Sequence, residues 1–421
     1  MAHRLMLFII VIGLSILVTG CRAAQETDQV AFIVAMGVDK AEDGKVKVTY
    51  QLITPRAVGG SQGSGQNTQG EPTILNSITA PNTAEARDLL SASMSRTSNL
   101  THMKAILLSE ELARSKGIGD LIAPFLRYRE FRGGIFLVIV RENVEDFMRA
   151  TKPTLDLLPS KFYESFMMSS SESSYYPHTD VHEFYLRLKN PGGSPYATYV
   201  GLNPLTNRDK PTGKKFPADK TDSYLPADIP RTGTENPSEF VGAAVFSGDK
   251  MVGSLDNKEA RILAILQNKF TRGFVVVTDP LDPSKTINVD LRNGSNPKID
   301  VDLIDGRETI KISVFLEAEV SGIPSGINYE QEQFRELLEN ELSILITEEI
   351  ESFISHTQEL GCDVFGFGAY LRPRFATYDD LMQVNLEQLY KTADVKVQVA
   401  TKIRRLGLMW RSSPYKPTTT P

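Results

Sequence analysis

Val30-Ala31-Phe32-Ile33-Val34-Ala35-Met36-Gly37-Val38-Asp39-Lys40 is an unbroken apolar run of strand character. After the turn residues Glu42-Asp43-Gly44 it meets Val46-Lys47-Val48-Thr49-Tyr50-Gln51-Leu52, where apolar and polar side chains alternate strictly. Such alternation marks a strand with one buried face, so the two stretches predict a hairpin. Outward from it the spacing changes. Asn82, with Glu85 three residues on, is a capping-box-like start for a helix through Ala86, Leu89, Leu90 and Met94. Residues 102–109 predict a buried strand, 110–116 and 118–128 helices, and 134–140 a strand. Asn143 caps a further helix that turns Phe147 and Met148 inward. Strand and helix alternate, so this part of the chain reads as mixed α/β.

Further along, residues 175–189 predict a helix, and 190–237 turn rich in Pro, Gly, Asp, Lys and Thr with few large apolar side chains. That composition reads as a connector or a long irregular excursion. Regular structure resumes with strand residues 240–246, the turn Ser247-Gly248-Asp249-Lys250, Met251-Val252-Gly253, a helix over 257–266 and a strand over 273–278. The C-terminal part opens on Ile310, Ile312, Val314, Leu316 and Ala318 alternating with Lys311, Ser313, Phe315, Glu317 and Glu319. Its longest helix covers 330–357, with an inner stripe of Phe334, Leu337, Leu338, Leu342, Leu345, Ile346, Ile350, Phe353 and Ile354. At 1.5 Å per residue it spans about 42 Å, enough to cross a sheet. The expected organisation is a signal segment over 1–20, an N-terminal α/β domain over 21–190, an irregular connector over 191–238, a small middle domain over 239–295, a C-terminal α+β domain over 296–410 and a disordered tail over 411–421.

The N-terminus carries a different message. His3 and Arg4 lead into the apolar residues 5–18, followed by Val18, Thr19, Gly20 and Cys21. About 20 apolar residues are needed to cross a bilayer as a helix, and this run is shorter and ends on small residues. It reads as a secretory signal with a lipobox, cut so that Cys21 becomes the N-terminal, lipidated residue. Residues 22–28 then form a polar stalk. Arg4 is the only Lys or Arg before Cys21, which leaves 45 basic against 52 acidic side chains beyond it. That balance argues against nucleic acid as a partner, which demands a concentrated basic face, and against electrostatic adhesion to anionic lipid, which leaves the holding to the lipid on Cys21. With the Cys21 sulfur in a thioether, Cys362 is alone and reads as a buried thiol.

Catalytic chemistry is not assembled anywhere in the pattern. His178 and His182 are one helical turn apart, a spacing that suits a metal, but no further histidine lies near them and they read as surface or cap residues. Asp379 and Asp380 are adjacent and so splay apart. Asp39, at a strand end, reads as a turn-shaping acid. The glycine-rich run 59–70 lacks the Lys-Ser/Thr ending of a phosphate loop and reads as a surface loop. No nucleophile, base and orienting group come together, so no catalytic residue, metal or cofactor is assigned.

Several segments resemble one family. The lipobox followed by Ala35-Met36-Gly37-Val38-Asp39-Lys40, then His102-Met103-Lys104-Ala105-Ile106-Leu107-Leu108-Ser109-Glu110-Glu111-Leu112-Ala113-Arg114, Phe125-Leu126-Arg127-Tyr128-Arg129-Glu130, residues 242–255, Phe365-Gly366-Phe367-Gly368 and residues 395–407 is similar to the Ger(x)C family, the C subunits of spore germinant receptors. The aromatic residues after Phe365-Gly366-Phe367-Gly368 are fewer than the family pattern, with Phe375 and Tyr378 remaining. The resemblance implies a three-domain, mixed α/β lipoprotein, each domain a mixed sheet with packed helices. It further implies a non-catalytic subunit held by a diacylglyceryl-cysteine on the outer face of the cell membrane or spore inner membrane, with a multi-pass A subunit and a permease-like B subunit as partners. The alternative from another class is a solute-binding lipoprotein of an ABC transporter, which would need two similar α/β lobes around a cleft.

Overall fold

The structure, a computed structural model, describes residues 29–53, 73–155, 159–204, 223–231, 233, 235–304, 306–407 and 412–413, together with 3, 4 and 6. Val18, Thr19, Gly20 and Cys21, the glycine-rich run 59–70 and the tail beyond 413 lie outside the described residues. The described chain builds two sheets with helices packed on them, a mixed α and β architecture.

The first sheet starts from the expected hairpin. Strands β1 (Val30–Lys40) and β2 (Val46–Ile53) pair antiparallel with Met36 opposite Tyr50, and β3 (Thr73–Ala80) pairs antiparallel with β2. Helix α1 (Thr83–Ser93) follows, capped by Asn82 Oδ1, which accepts from Glu85 N at 2.9 Å. Next come β4 (Thr97–Asn99), β5 (Ala105–Ser109), the short helices α2 (Glu110–Ser115) and α3 (Gly119–Phe125), and β6 (Phe136–Val140). β5 lies parallel to β1, and β6 parallel to β5, with Ala35, Ala105 and Phe136 in line. Helix α4 (Val144–Ala150) buries Val144, Phe147 and Met148 beneath β1, each side chain contributing about 1.5–3 kcal/mol.

One feature here differs from the sequence expectation. Asp39 does not shape its own turn. Its buried carboxylate accepts from Val144 N at 2.8 Å and Glu145 N at 3.2 Å, and so caps α4, more than a hundred residues away. Between Asp39 and this helix, Gly37 allows a close approach: a Cβ there would lie 2.5 Å from Val144 Cγ1 and 3.0 Å from Met148 Sδ.

Helices α5 (Pro159–Ser173) and α6 (Val181–Lys189) come next, then β7 (Tyr196–Leu202). α5 was not expected. α6 starts six residues later than the periodicity suggests, because Asp180 Oδ1 takes the Glu183 N–H at 2.7 Å and fixes the first turn there. β7 falls within the stretch expected as irregular connector. Its run Tyr196-Ala197-Thr198-Tyr199-Val200 is buried throughout and pairs parallel with β6. The surrounding Pro, Gly and charged residues dilute that short run in any composition window, while burial of both faces makes it a central strand.

The strands β8 (Ser238–Ser247) and β9 (Lys250–Leu255) extend the same sheet, giving the order β3-β2-β1-β5-β6-β7-β8-β9, with β4 beside β1. Helix α7 (Asn257–Leu266) carries a capping box from Asp256 and Glu259. The second sheet has the order β10 (Arg272–Thr278), β11 (Thr286–Ile304), β12 (Arg307–Gly322) and β13 (Asp394–Arg405). The segment expected as a middle domain, 239–295, is thus divided between the sheets. An isolated two-stranded hairpin is marginal in water, and β8–β9 gain a third partner in β7.

Helix α8 (Glu332–Leu360) crosses the second sheet and buries Leu338, Leu342, Ile346, Ile350, Phe353 and Ile354 against Ile310, Ile312, Val314 and Leu316. Leu337, placed on the inner stripe by its spacing, is instead 43% exposed. Glu339, two residues on and so on the opposite side of the helix from Leu337, faces inward. It is buried, accepts from Ile403 N at 2.9 Å and pairs with Lys402 at 2.6 Å, so it secures the end of β13.

The α4 contact supplies a test. Gly37→Ala forces either α4 or β1 to shift, and overpacking of this kind costs about 1–3 kcal/mol. Urea unfolding of the variant is expected to show a midpoint lowered accordingly, with an unchanged slope.

Candidate functional site

The polar, buried chemistry of this chain concentrates where the two sheets meet. Pro191-Gly192-Gly193-Ser194, the turn between α6 and β7, lies against the segment that follows α8. Ser194 N donates to Asp363 O at 2.6 Å. Gly192 has φ +89°, and a Cβ on it would lie 2.5 Å from the Gly368 carbonyl carbon; on Gly368 it would lie 2.6 Å from Gly192 Cα. The backbones touch, and only glycine permits that conformation together with that approach.

Asp363 organises its side of the contact. The segment Cys362-Asp363-Val364-Phe365-Gly366-Phe367-Gly368 leads into a 3-10 turn, Phe367–Arg374. The Asp363 carboxylate accepts from Gly366 N at 2.8 Å and Gly368 N at 2.9 Å. Burial pushes its carboxyl up to about 6, with the backbone N–H groups of Gly368, Phe367 and Gly366 pulling the other way. Glu308, on β12, is also buried, its Oε1 without a hydrogen-bond partner, and burial with the nearby Asp363 charge raises it to about 7. Burial raises the adjacent Cys362 thiol to about 12, which favours the protonated thiol at neutral pH.

A second cluster fastens the same junction. Arg187 on α6 donates to Val364 O at 3.2 Å and lies 4.5 Å above the Tyr196 ring. Gln267, just past α7, donates to Val364 O at 2.9 Å. The fully buried Tyr196 hydroxyl lies 2.6 Å from Gln267 Oε1 and 3.2 Å from Glu183 Oε1. Lys269 closes the cluster on Glu183 at 2.6 Å. Burial opposes the Glu183 charge, yet Lys269 and Arg187 hold its carboxyl below the usual range. Two shallow clefts flank the junction, one of about 230 Å³ beside Asp363 and Asn190, the other of about 450 Å³ beside Tyr196 and Lys269. The donors and acceptors in the cluster satisfy one another, so the arrangement joins two bodies rather than presenting reactive atoms.

The residues weighed from sequence sit elsewhere. His178 precedes α6, with Nδ1 3.3 Å from Met167 O and its ring edge-on to Phe136. His182 is exposed and packs beside Gly133. The two histidines face different neighbours, and among the described residues no group of three or more His, Cys, Asp or Glu is arranged to hold a metal. The lipobox residues Val18, Thr19, Gly20 and Cys21 lie outside the described residues. Asp363 and Gly192 were not singled out. The signal for Asp363 was an acid in an apolar run with glycine three residues on, the spacing at which an Asp side chain accepts from a following backbone N–H.

Comparison with known proteins agrees with this architecture. The model described as "Spore germination protein N-terminal domain" matches residues 23–202, and the one described as "Spore germination B3/ GerAC like, C-terminal" matches 241–407. Two Bacillus subtilis (strain 168) relatives match nearly end to end. YfkR is 23% identical over 94% of this chain and 95% of its own. Spore germination protein KC is 23% identical over 99% of this chain and 98% of its own. The crystal structure of the GerBC protein shares the fold, with a TM-score of 0.51 at 16% identity, over 88% of this chain and 96% of that one. The two-sheet architecture is therefore that of spore germination proteins. This chain belongs to the Ger(x)C family, the C-subunit family of spore germinant receptors.

The buried acids make stability depend on pH. Glu308 titrates near 4.5 when unfolded and about 7 when folded. The folded state therefore holds the extra proton between those values, and unfolding free energy falls as pH rises through that window. Thermal melts are expected to give a higher Tm at pH 5 than at pH 8 on this account. Glu308→Gln should remove most of the difference and stabilise the protein at pH 8 by about 2 kcal/mol.

Proposed function

We propose that the protein is a non-catalytic, lipid-anchored subunit of a spore germinant receptor. It scaffolds the complex or relays its signal beside a multi-pass A subunit and a permease-like B subunit. The observation that carries the reading is the match to both family segments on a body whose sheets are locked together at Gly192 and Asp363. Such a body suits a part that must hold or transmit position. No helix among the described residues is long and apolar enough to cross a membrane; the attachment proposed is the Cys21 lipobox. Two acyl chains hold a protein stably where one is marginal, and confinement near partners raises their effective concentration. A solute-binding reading calls for two similar lobes, whereas here a nine-stranded sheet faces a four-stranded one.

Affinity purification of the tagged protein from spore membranes in mild detergent, with partners identified by mass, tests the complex. A permease-like protein and a second multi-pass subunit are expected; an ATP-driven importer in their place would refute the assignment. Cys21→Ala is expected to move the protein out of the membrane fraction and to impair nutrient-triggered germination. Normal germination with the protein absent from membranes would refute the anchoring role.

A further inference from the structure

The point where the chain leaves its folded body carries a concentration of arginine that the whole-chain balance conceals. β1 begins at Val30, and Gln29 is fixed there because Thr97 N donates to its carbonyl at 2.9 Å. β4 runs beside this start, with Val30 opposite Thr97 and Phe32 opposite Asn99. Directly after β4, Leu100 N donates to Glu130 Oε2 at 3.3 Å, and Arg87 pairs with the same oxygen at 2.7 Å. Glu130, half-exposed, thus fastens the loop Arg127-Tyr128-Arg129-Glu130-Phe131-Arg132 beside the chain exit. Phe131 stacks on Phe125 with ring centres 4.8 Å apart, which gives the loop a rigid base.

What the loop presents outward is cationic. Arg127, Tyr128, Arg129 and Arg132 are exposed, and Arg96 sits next to Thr97 at the same end. None of Arg96, Arg127, Arg129 and Arg132 is in an ion pair among the described residues. The acid of the loop is spent on Arg87. Cys21 is nine residues before Val30, a reach of about 30 Å at most. Charges farther than about 10 Å are screened at 0.1 M salt, so at contact distance this local patch outweighs the net charge of −7 left by 45 basic and 52 acidic side chains beyond the signal.

We propose that the arginine loop docks on anionic phospholipid headgroups beside the tether, as a second membrane attachment that orients the body. The proposal rests on the anchoring reading for Cys21. Arginine forks bind phosphate oxygens in pairs, and tyrosine belongs at the level of the headgroups. Each arginine near an anionic surface shifts the docked-to-free ratio about fivefold, and three together about a hundredfold.

The test uses the full lipidated chain with a fluorophore at Gly134→Cys, where a Cβ meets nothing within 4 Å. It is reconstituted in vesicles of phosphatidylcholine alone or mixed with phosphatidylglycerol, each carrying a headgroup quencher. Flotation with the phosphatidylcholine vesicles reports the anchor, and its absence would sink the anchoring reading itself. With flotation intact, quenching is expected only with phosphatidylglycerol, and it should fall in 1 M salt, where screening shortens to about 3 Å. The Arg127→Gln, Arg129→Gln, Arg132→Gln triple variant should lose it while melting like the parent. Equal probe exposure in both vesicles, or undiminished quenching in the triple variant, would overturn the proposal. Equal exposure together with loss of copurifying membrane proteins from the triple variant would assign the loop to an acidic protein partner instead.

Discussion

The alternation of side chains along β8 governs the architecture. Ala243 and Val245 project into the core beneath the second sheet, together with Leu255, Ile262 and Ile310. Ala244 and Phe246 project the other way, into the core that holds Met36, Ile106 and Phe184. A strand has a side-chain period of two, so a slip of one residue would exchange these two sets. The register of β8 therefore satisfies two cores at once, and neither sheet can be repositioned without unburying apolar side chains of the other. The two family segments meet just here, one ending at Leu202 of β7 and the other starting at Val241 of β8, yet β7 and β8 are hydrogen-bonded neighbours. The boundary in sequence is not a boundary in the fold.

On this apolar seam the polar junction adds direction. Hydrophobic burial is nonspecific in geometry, whereas the contacts of Gly192 with Gly368 and of Ser194 with Asp363 fix one relative placement. The cost is visible in Asp363 and Glu308, two buried acids whose ionisation is penalised. Buried polar groups of this kind add little net stability but penalise alternative packings. Asp363 is compensated by backbone N–H groups; Glu308 leaves one oxygen without a hydrogen bond and is the weaker point of the junction.

Much of the chain was legible locally. The hairpin of β1 and β2, the caps at Asn82 and Asn143, the capped α7 and the stripe of α8 all follow from short-range spacing, where one period decides. What escaped depends on partners distant in sequence. β7 is a central strand because β6 and β8 cover its edges, which no window of composition around Pro191-Gly192-Gly193 can register. The inward turn of Glu339 depends on Ile403 N, and the role of Asp39 on α4 over a hundred residues away. Leu337 is left out of the stripe while its neighbour Leu338, in the same turn, is fully buried against the sheet. For the site, the family motif drew attention to Phe365-Gly366-Phe367-Gly368, but its physical content, a glycine-to-glycine backbone contact with Gly192, needs both strands of chain in view. The family itself was readable because its motifs recur in order along almost the whole chain.

The placement of these features bears on how such a subunit works. In the first sheet β1, β5, β6 and β7 run parallel, so the start of β1 at Val30, the arginine loop before β6 and the junction at Ser194 before β7 share the N-terminal end of the strands. A force or tilt applied at the exit therefore reaches the second sheet through β7 and Asp363 without passing through a mobile loop. Proximity of this kind is not coupling in itself; coupling requires an element with two arrangements. In a junction where glycine backbones touch and the core strand β8 is shared, the available change is a rigid-body one. Under the proposed anchoring, the body would tilt as one piece, with the second sheet carried along.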